Sequence, residues 1–189
     1  MARFAEAFAL TSAHEGGYVN DPADRGGETY RGIARVHHPD WSGWNRVDAA
    51  RRKKGFPKIL GADRSLQAKV RSFYKKAYWD RFKGDEIPDQ AVANELYDTA
   101  VNMGVRRAVR FLQSSLNLLN RNQRDYEDLV IDGWFGANSL ASFNALLKKD
   151  RHSDALVKMM NIQQGARYVE IMAHDSSQER FARGWIKRA

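Results

Sequence analysis

Five apolar residues, Val105, Val109, Leu112, Leu116 and Leu119, recur at alternating steps of four and three positions. At about 100° per residue those steps keep one face of an α-helix turned to a core, whereas a β-strand, with its period of two, could not bury them together. A chain carrying that stretch has to fold largely as packed helices. Similar spacing links Leu66, Val70, Phe73 and Ala77 after Asp63, a candidate N-cap, and predicts a helix running towards Gly84. It returns in Val92, Leu96 and Val101, with Pro88 suited to the first turn and Gly104 to the end. A polar break at 120–124 and an Asp132-Gly133 turn follow, then helices at about 139–149, 153–173 and 177–187, the first capped by Asn138. Trp134 and Trp185, each beside a glycine, read as anchors of these helices in the core.

One segment breaks the pattern. Between Gly16 and Gly32 the chain is dense in turn formers (Gly16, Gly17, Asn20, Asp21, Pro22, Asp24, Gly26, Gly27), with Tyr18, Thr29 and Tyr30 interleaved. This is the pattern of a short, irregular β-hairpin or loop. Residues 35–62, with His37, His38, Trp41 and Trp44, read as a loop holding one short helix near Val47. No repeat, low-complexity tract or Pro/Ser linker divides the chain. The expected fold class is mainly α (α+β), with a small β element after the first helix.

Composition narrows the chemistry. A chain of 189 residues can bury a sizeable core without a staple. With no cysteine there is no disulfide framework, no Cys-ligated zinc and no thiol nucleophile. The histidines at 14, 37, 38, 152 and 174 show no metal-ligand spacing, so no metal and no cofactor are expected. No apolar run reaches the length of a membrane span, and Glu6 interrupts what would be the apolar part of an export signal. The expectation is a protein made in the cytoplasm, without membrane insertion. A net charge of +8 predicts attraction to polyanions: nucleic acid, anionic membrane or bacterial wall polymer. No nucleic-acid motif accompanies it, so no specific nucleic acid is expected, and Arg51-Arg52-Lys53-Lys54 reads by default as a solvated charged loop.

The reactive groups are then carboxylates. Glu15 lies eleven residues after Phe4 and seven after Phe8, which places it within roughly 20° of both on the apolar stripe of a first helix that Gly16-Gly17 ends. The negative end of the helix dipole and partial burial both disfavour its charged form, the condition a general acid needs near neutral pH. Asp24, beside Arg25 in a loop rich in backbone donors, tends to stay ionised. Two carboxylates pushed apart in this way make an acid/base pair, although a helix-end Glu and a loop Asp also serve as salt-bridge and turn residues. Tyr18, Tyr30, Trp79, Asp98 and Asn102 are candidates for lining a glycan cleft, since sugar rings stack on aromatic faces and need fixed polar partners. Each also suits the core, a helix cap or a buried hydrogen bond.

The segment Glu15-Gly16-Gly17-Tyr18-Val19-Asn20-Asp21-Pro22-Ala23-Asp24-Arg25-Gly26-Gly27-Glu28-Thr29-Tyr30-Arg31-Gly32-Ile33 resembles the signature of glycoside hydrolase family 108. These are phage-type endolysins, some labelled secretion activator proteins, with N-acetylmuramidase activity and a lysozyme-like fold. The resemblance implies that Glu15 is the catalytic glutamate. The order Glu, Asp, Thr is similar to the triad of classical phage lysozymes and suggests Asp24 and Thr29 as partners, with the second spacing one residue shorter. The chain departs from the family at Glu28, Tyr30 and Arg31, where the usual segment resembles Gly-Gly-Ala-Thr-Asn-Phe-Gly-Ile. The likeness continues through Tyr78-Trp79, residues 98–104, Phe111-Leu112-Gln113, residues 132–136 and Gly184-Trp185.

That resemblance implies a muramidase catalytic region at 1–93 and a helical predicted peptidoglycan-binding region at 94–189, packed as a single domain. The expected reaction is hydrolysis of the β-1,4 bond between N-acetylmuramic acid and N-acetylglucosamine. The expected partner is the peptidoglycan glycan strand, met by a monomer that reaches the cell wall through a holin or a secretion system. Rival expectations are a lytic transglycosylase and a non-catalytic peptidoglycan-binding or secretion-associated module.

Overall fold

A computed structural model of the chain describes residues 1–12, 16–20 and 27–189. It forms two compact units, Phe8–Ala77, and Met1–Ala7 together with Tyr78–Ala189. The described residues hold eight α-helices: α1 (Phe4–Ser12), α2 (Trp44–Ala50), α3 (Arg64–Ala77), α4 (Gln90–Met103), α5 (Val105–Leu119), α6 (Ala137–Asp150), α7 (Asp154–His174) and α8 (Ala182–Ile186). Three short strands follow the first helix: β1 (Tyr18–Asn20), β2 (Glu28–Tyr30) and β3 (Ile33–Ala34). The mainly helical class with a small β element is the one that the apolar spacing predicts.

In the larger unit α5 is the central helix, packed on α4, α6 and α7. Its buried face is Ala108, Val109, Leu112, Gln113, Ser115 and Leu116. Each fully buried leucine contributes about 1.5–3 kcal/mol relative to exposure. Asp89 starts α4, its carboxylate accepting the Val92 N–H at 3.0 Å, and Gly104, at φ 87°, ends it. Only a residue without a Cβ takes that conformation readily. Pro88 therefore precedes the cap and does not enter the first turn.

The helix predicted to run towards Gly84 stops at Ala77, and two 3-10 turns, Trp79–Phe82 and Gly84–Glu86, take its place. The cause is a cluster of large rings. Trp79 packs 5.7 Å from Phe4, 6.0 Å from Tyr97 and 5.5 Å from Phe82, and a Cβ at Gly84 would stand 2.2 Å from its indole. Other ends also differ from expectation. α6 begins at Ala137 behind Gly136 with no side-chain cap, so Asn138 lies inside the helix. The last expected helix divides into a 3-10 turn, Ser176–Phe181, and α8.

In the smaller unit the sheet is antiparallel, in the order β1-β2-β3. Tyr18 faces Tyr30, Val19 faces Thr29 and Asn20 faces Glu28, while Tyr30 also faces Ile33. Arg31 and Gly32, at φ 45° and 75°, form the two-residue link between β2 and β3. Positive φ at both central positions suits the right-handed twist of a hairpin. The Arg31 carbonyl accepts the Tyr74 hydroxyl at 2.8 Å, tying this turn to α3. Asp63 caps α3 as its sequence position predicts, accepting the Leu66 N–H at 3.0 Å. Arg46, 2.6 Å away, holds that carboxyl below its usual range. Ile33, Trp44, Val47, Leu60, Leu66 and Val70 fill this unit's core.

Candidate functional site

Of the expected catalytic residues, Glu15 and Asp24 lie outside the described residues. Thr29 occupies the middle of β2, between Val19 and Ala34 of the flanking strands, and is half-buried. Its Oγ1 is 3.5 Å from the Gly27 carbonyl, long for a hydrogen bond, so the hydroxyl is only weakly engaged. Side chains alternate along a strand, so Thr29 projects from the face opposite Glu28 and Tyr30.

On that opposite face the strand is pinned by charge. Arg35 meets the Glu28 carboxylate at 2.8 Å and Arg51 meets its second oxygen. Asp48 bridges the same two guanidinium groups at 2.7 and 3.1 Å, and the bond from Arg35 holds its carboxyl below the usual range. Arg35 also lies 4.5 Å from the Trp44 ring, so β2, β3 and α2 are joined through one set of side chains. Arg51, Arg52, Lys53 and Lys54 are all exposed, as the sequence predicts for a charged run, and Arg51 is also ion-paired within this framework.

The tyrosines of the motif separate in the same way. Tyr18, on β1, is partly exposed, with its ring 4.8 Å from Phe56 and 6.0 Å from the Arg51 guanidinium. Burial, with the nearby Glu28 charge, raises its hydroxyl above the usual range. Tyr30 is a core residue, and its hydroxyl donates to the Leu60 carbonyl at 3.3 Å and accepts from Gln67 at 2.8 Å.

In the larger unit Trp79 is fully buried and its indole N–H donates to Asp85 at 2.8 Å, so no face of the ring is open to a sugar. Asp98 and Asn102 share a face of α4, as four-residue spacing requires. The Asn102 amide donates to the Asp98 carbonyl and carboxylate at 2.8 and 3.1 Å, and Arg188 donates to Asn102 at 2.9 Å. One turn earlier on that face is Glu95, which the sequence did not single out. Burial, with the neighbouring Asp98 charge, pushes its carboxyl up to about 7 against the hydrogen bond from Thr99 at 2.9 Å. The Asn161 amide stands 3.0 and 2.6 Å from its two oxygens, oriented to donate, and Gln164 donates to Thr99 at 3.0 Å. Glu95, Asp98 and Asn102 stand at helical spacing in the sequence, which is the signal that could have found it.

A second feature unmarked by motif is a groove of about 720 Å³ within the smaller unit, lined by His38, Trp41, Phe73, Lys69 and Lys76 among others. Among the described residues no three His, Asp or Glu groups converge as a metal site, and no helix is long and apolar enough to cross a membrane.

Residues 8–104 match the family described as Glycosyl hydrolase 108, and residues 107–189 match the family described as Predicted Peptidoglycan domain. No curated protein matches the chain. Among solved structures, that of Brucella abortus SagA is similar, with a TM-score of 0.60 and 25% identity over 98% of this chain and 88% of that one. The first match spans more than half the chain and carries the Glu15 motif, so the protein belongs to the Glycosyl hydrolase 108 family, with a predicted peptidoglycan domain in its second half.

Proposed function

We propose that the protein hydrolyses peptidoglycan at the β-1,4 bond between N-acetylmuramic acid and N-acetylglucosamine, with Glu15 as general acid. The observation carrying this reading is the succession, in one chain, of a glycosyl hydrolase match at 8–104 and a peptidoglycan match at 107–189. Glu15, protonated, gives its proton to the leaving glycosidic oxygen while an oxocarbenium-like transition state develops on the sugar. Asp24, ionised, stabilises that cation, attacks it or orients the water that completes hydrolysis. In this reading Thr29, whose hydroxyl is weakly engaged, positions that water or a sugar hydroxyl. Tyr18 offers a partly open ring as a sugar platform, and Asp98 and Asn102 offer polar groups held by Arg188. The charge of +8 concentrates the protein at the anionic cell wall, where it acts.

Clearing of a sacculus suspension tests the reading. Glu15→Gln should lower the rate by about 10²–10⁴-fold with the fold retained, the range for loss of a positioned acid. Wild-type rates in that variant would remove Glu15 from the chemistry. Mass analysis of the released muropeptides then fixes the reaction. A reducing end at muramic acid is expected, whereas an anhydro product would make the enzyme a transglycosylase and no product would make it a binding module.

A further inference from the structure

Trp134, expected to anchor a helix in the core, is 57% exposed. Its loop is nevertheless held by several hydrogen bonds. Gln113, 2% exposed on α5, accepts the Gly133 N–H at 2.8 Å and donates to the Asp132 carboxylate at 2.8 Å and the Trp134 carbonyl at 3.1 Å. The Trp134 N–H donates to the same Asp132 carboxylate at 2.8 Å, and Arg106 donates to the Asp132 carbonyl at 3.0 Å. Gly133, at φ 78°, passes so close to α5 that a Cβ would stand 2.7 Å from the Arg106 carbonyl. A buried glutamine and a left-handed glycine thus fix a turn whose largest side chain stands mostly exposed, against the Arg106 guanidinium.

Beside the indole runs a groove of about 570 Å³, lined by Asp128, Leu129, Val130, Asp132, Trp134 and Asn138 among others. Val130, 80% exposed, and Leu129 form its apolar side. The Arg106 guanidinium sits 5.1 Å from the indole centroid. Arg107 and Arg110 stand exposed on the same helix. Hydrogen bonds from Gln113 and the Trp134 backbone hold the Asp132 carboxyl below its usual range, so it stays an acceptor at neutral pH. A ring face, an ionised acceptor and an amide in one groove, with the Arg106 guanidinium beside the ring, match a saccharide that bears hydroxyls, acetamido methyls and carboxylates.

We infer that the groove at Trp134 is a glycan-strand subsite that holds peptidoglycan by stacking a sugar on the indole, with its lactyl or stem-peptide carboxylates facing Arg106 and Arg110. The inference rests on the peptidoglycan reading above and assigns to the second half of the chain the residues that do the holding. Such a groove keeps an enzyme on an insoluble polymer between cuts.

The test is co-sedimentation with purified sacculi stripped of teichoic acid, using full-length Glu15→Gln protein so that binding is measured without cutting. Adding Trp134→Ala should weaken binding by about tenfold, the effect of removing an aromatic anchor, while Trp134→Tyr keeps most of it. Thermal unfolding of both variants should match the parent. Equal binding by the Trp134→Ala protein, with wild type still releasing muropeptides, overturns the subsite alone. Parent protein that neither sediments with sacculi nor, as wild type, releases products overturns the peptidoglycan reading and the subsite with it. Binding restored only when teichoic acid is left on the wall assigns the groove to that polymer instead. A wild-type dimer in light scattering that Trp134→Ala dissolves assigns it to a second copy of the chain.

Discussion

Two tryptophans of the larger unit part ways in the structure. Trp79, a candidate for a sugar-facing wall, is 0% exposed inside a cluster of Phe4, Phe82 and Tyr97, whereas Trp134, read as an anchor, is 57% exposed on a turn. Both adjoin a glycine, but to opposite ends. Gly84 is absent a side chain so that the Trp79 ring can lie against it, while Gly133 is absent one so that the backbone can lie against α5 and leave Trp134 outside. In one case the glycine makes room for the ring, and in the other it makes room for the loop. Two glutamates repeat the contrast. Glu28, with its side chain 11% exposed, faces two guanidinium groups, whereas Glu95 is buried against an amide, a hydroxyl and the Asp98 charge. Without a cation beside it, the Glu95 carboxyl is pushed up by its burial.

Substitutions can break each contrast. The largest effect should come from Trp79→Ala, which opens a cavity in the ring cluster and should cost about 3–5 kcal/mol in urea denaturation; a loss below about 1 kcal/mol would mean the cluster relaxes freely. Glu95 comes next and depends on pH. Its carboxyl is raised from 4.5 to about 7, so the folded chain holds the proton more tightly than the unfolded one. Below the unfolded value the group carries no penalty. As pH climbs through the folded value, ionisation should remove up to roughly 3 kcal/mol of stability. Glu95→Gln should therefore flatten the fall in stability between pH 5 and 8, and superimposable curves for variant and wild type would show that the slope arises elsewhere.

Glu28→Gln should cost less, about 1–2 kcal/mol, because Arg35 and Arg51 are partly solvated and can rehydrate. The loss should shrink at high salt, and a salt-independent loss would point to packing. Smallest is Trp134→Ala, expected within about 0.5 kcal/mol of wild type, as for surface substitutions that break no cap or core contact. A larger loss in calorimetry would return Trp134 to the structural role that its sequence position suggests.

Much of the helical framework was legible because its signals are local. The α5 stripe, the Asp63 cap, the stop at Gly104 and the turn at Gly133 each depend on residues within one or two helical turns. The early end of α3 was not legible. Trp79 leaves the helical path to reach Phe4 and Tyr97, and nothing near it in the chain records partners so distant. The Glu15 motif could be recognised from its residues alone, with Thr29 then placed on β2 and Glu15 and Asp24 lying outside the described residues. Glu28 and Arg51 could not be paired in advance, because their meeting depends on how α2 lies against the sheet.

The sequence by itself determined the helical class, the small β element after the first helix and, through the motif at Glu15, the family. These follow from periodicity, turn chemistry and residue inventory, which act over a few positions. Tertiary structure alone decided which tryptophan is core and which is surface, and which glutamate is ion-paired and which is held close to neutral. A side chain's burial and charge state are set by the atoms packed around it, and in this chain those atoms come from residues far away in sequence.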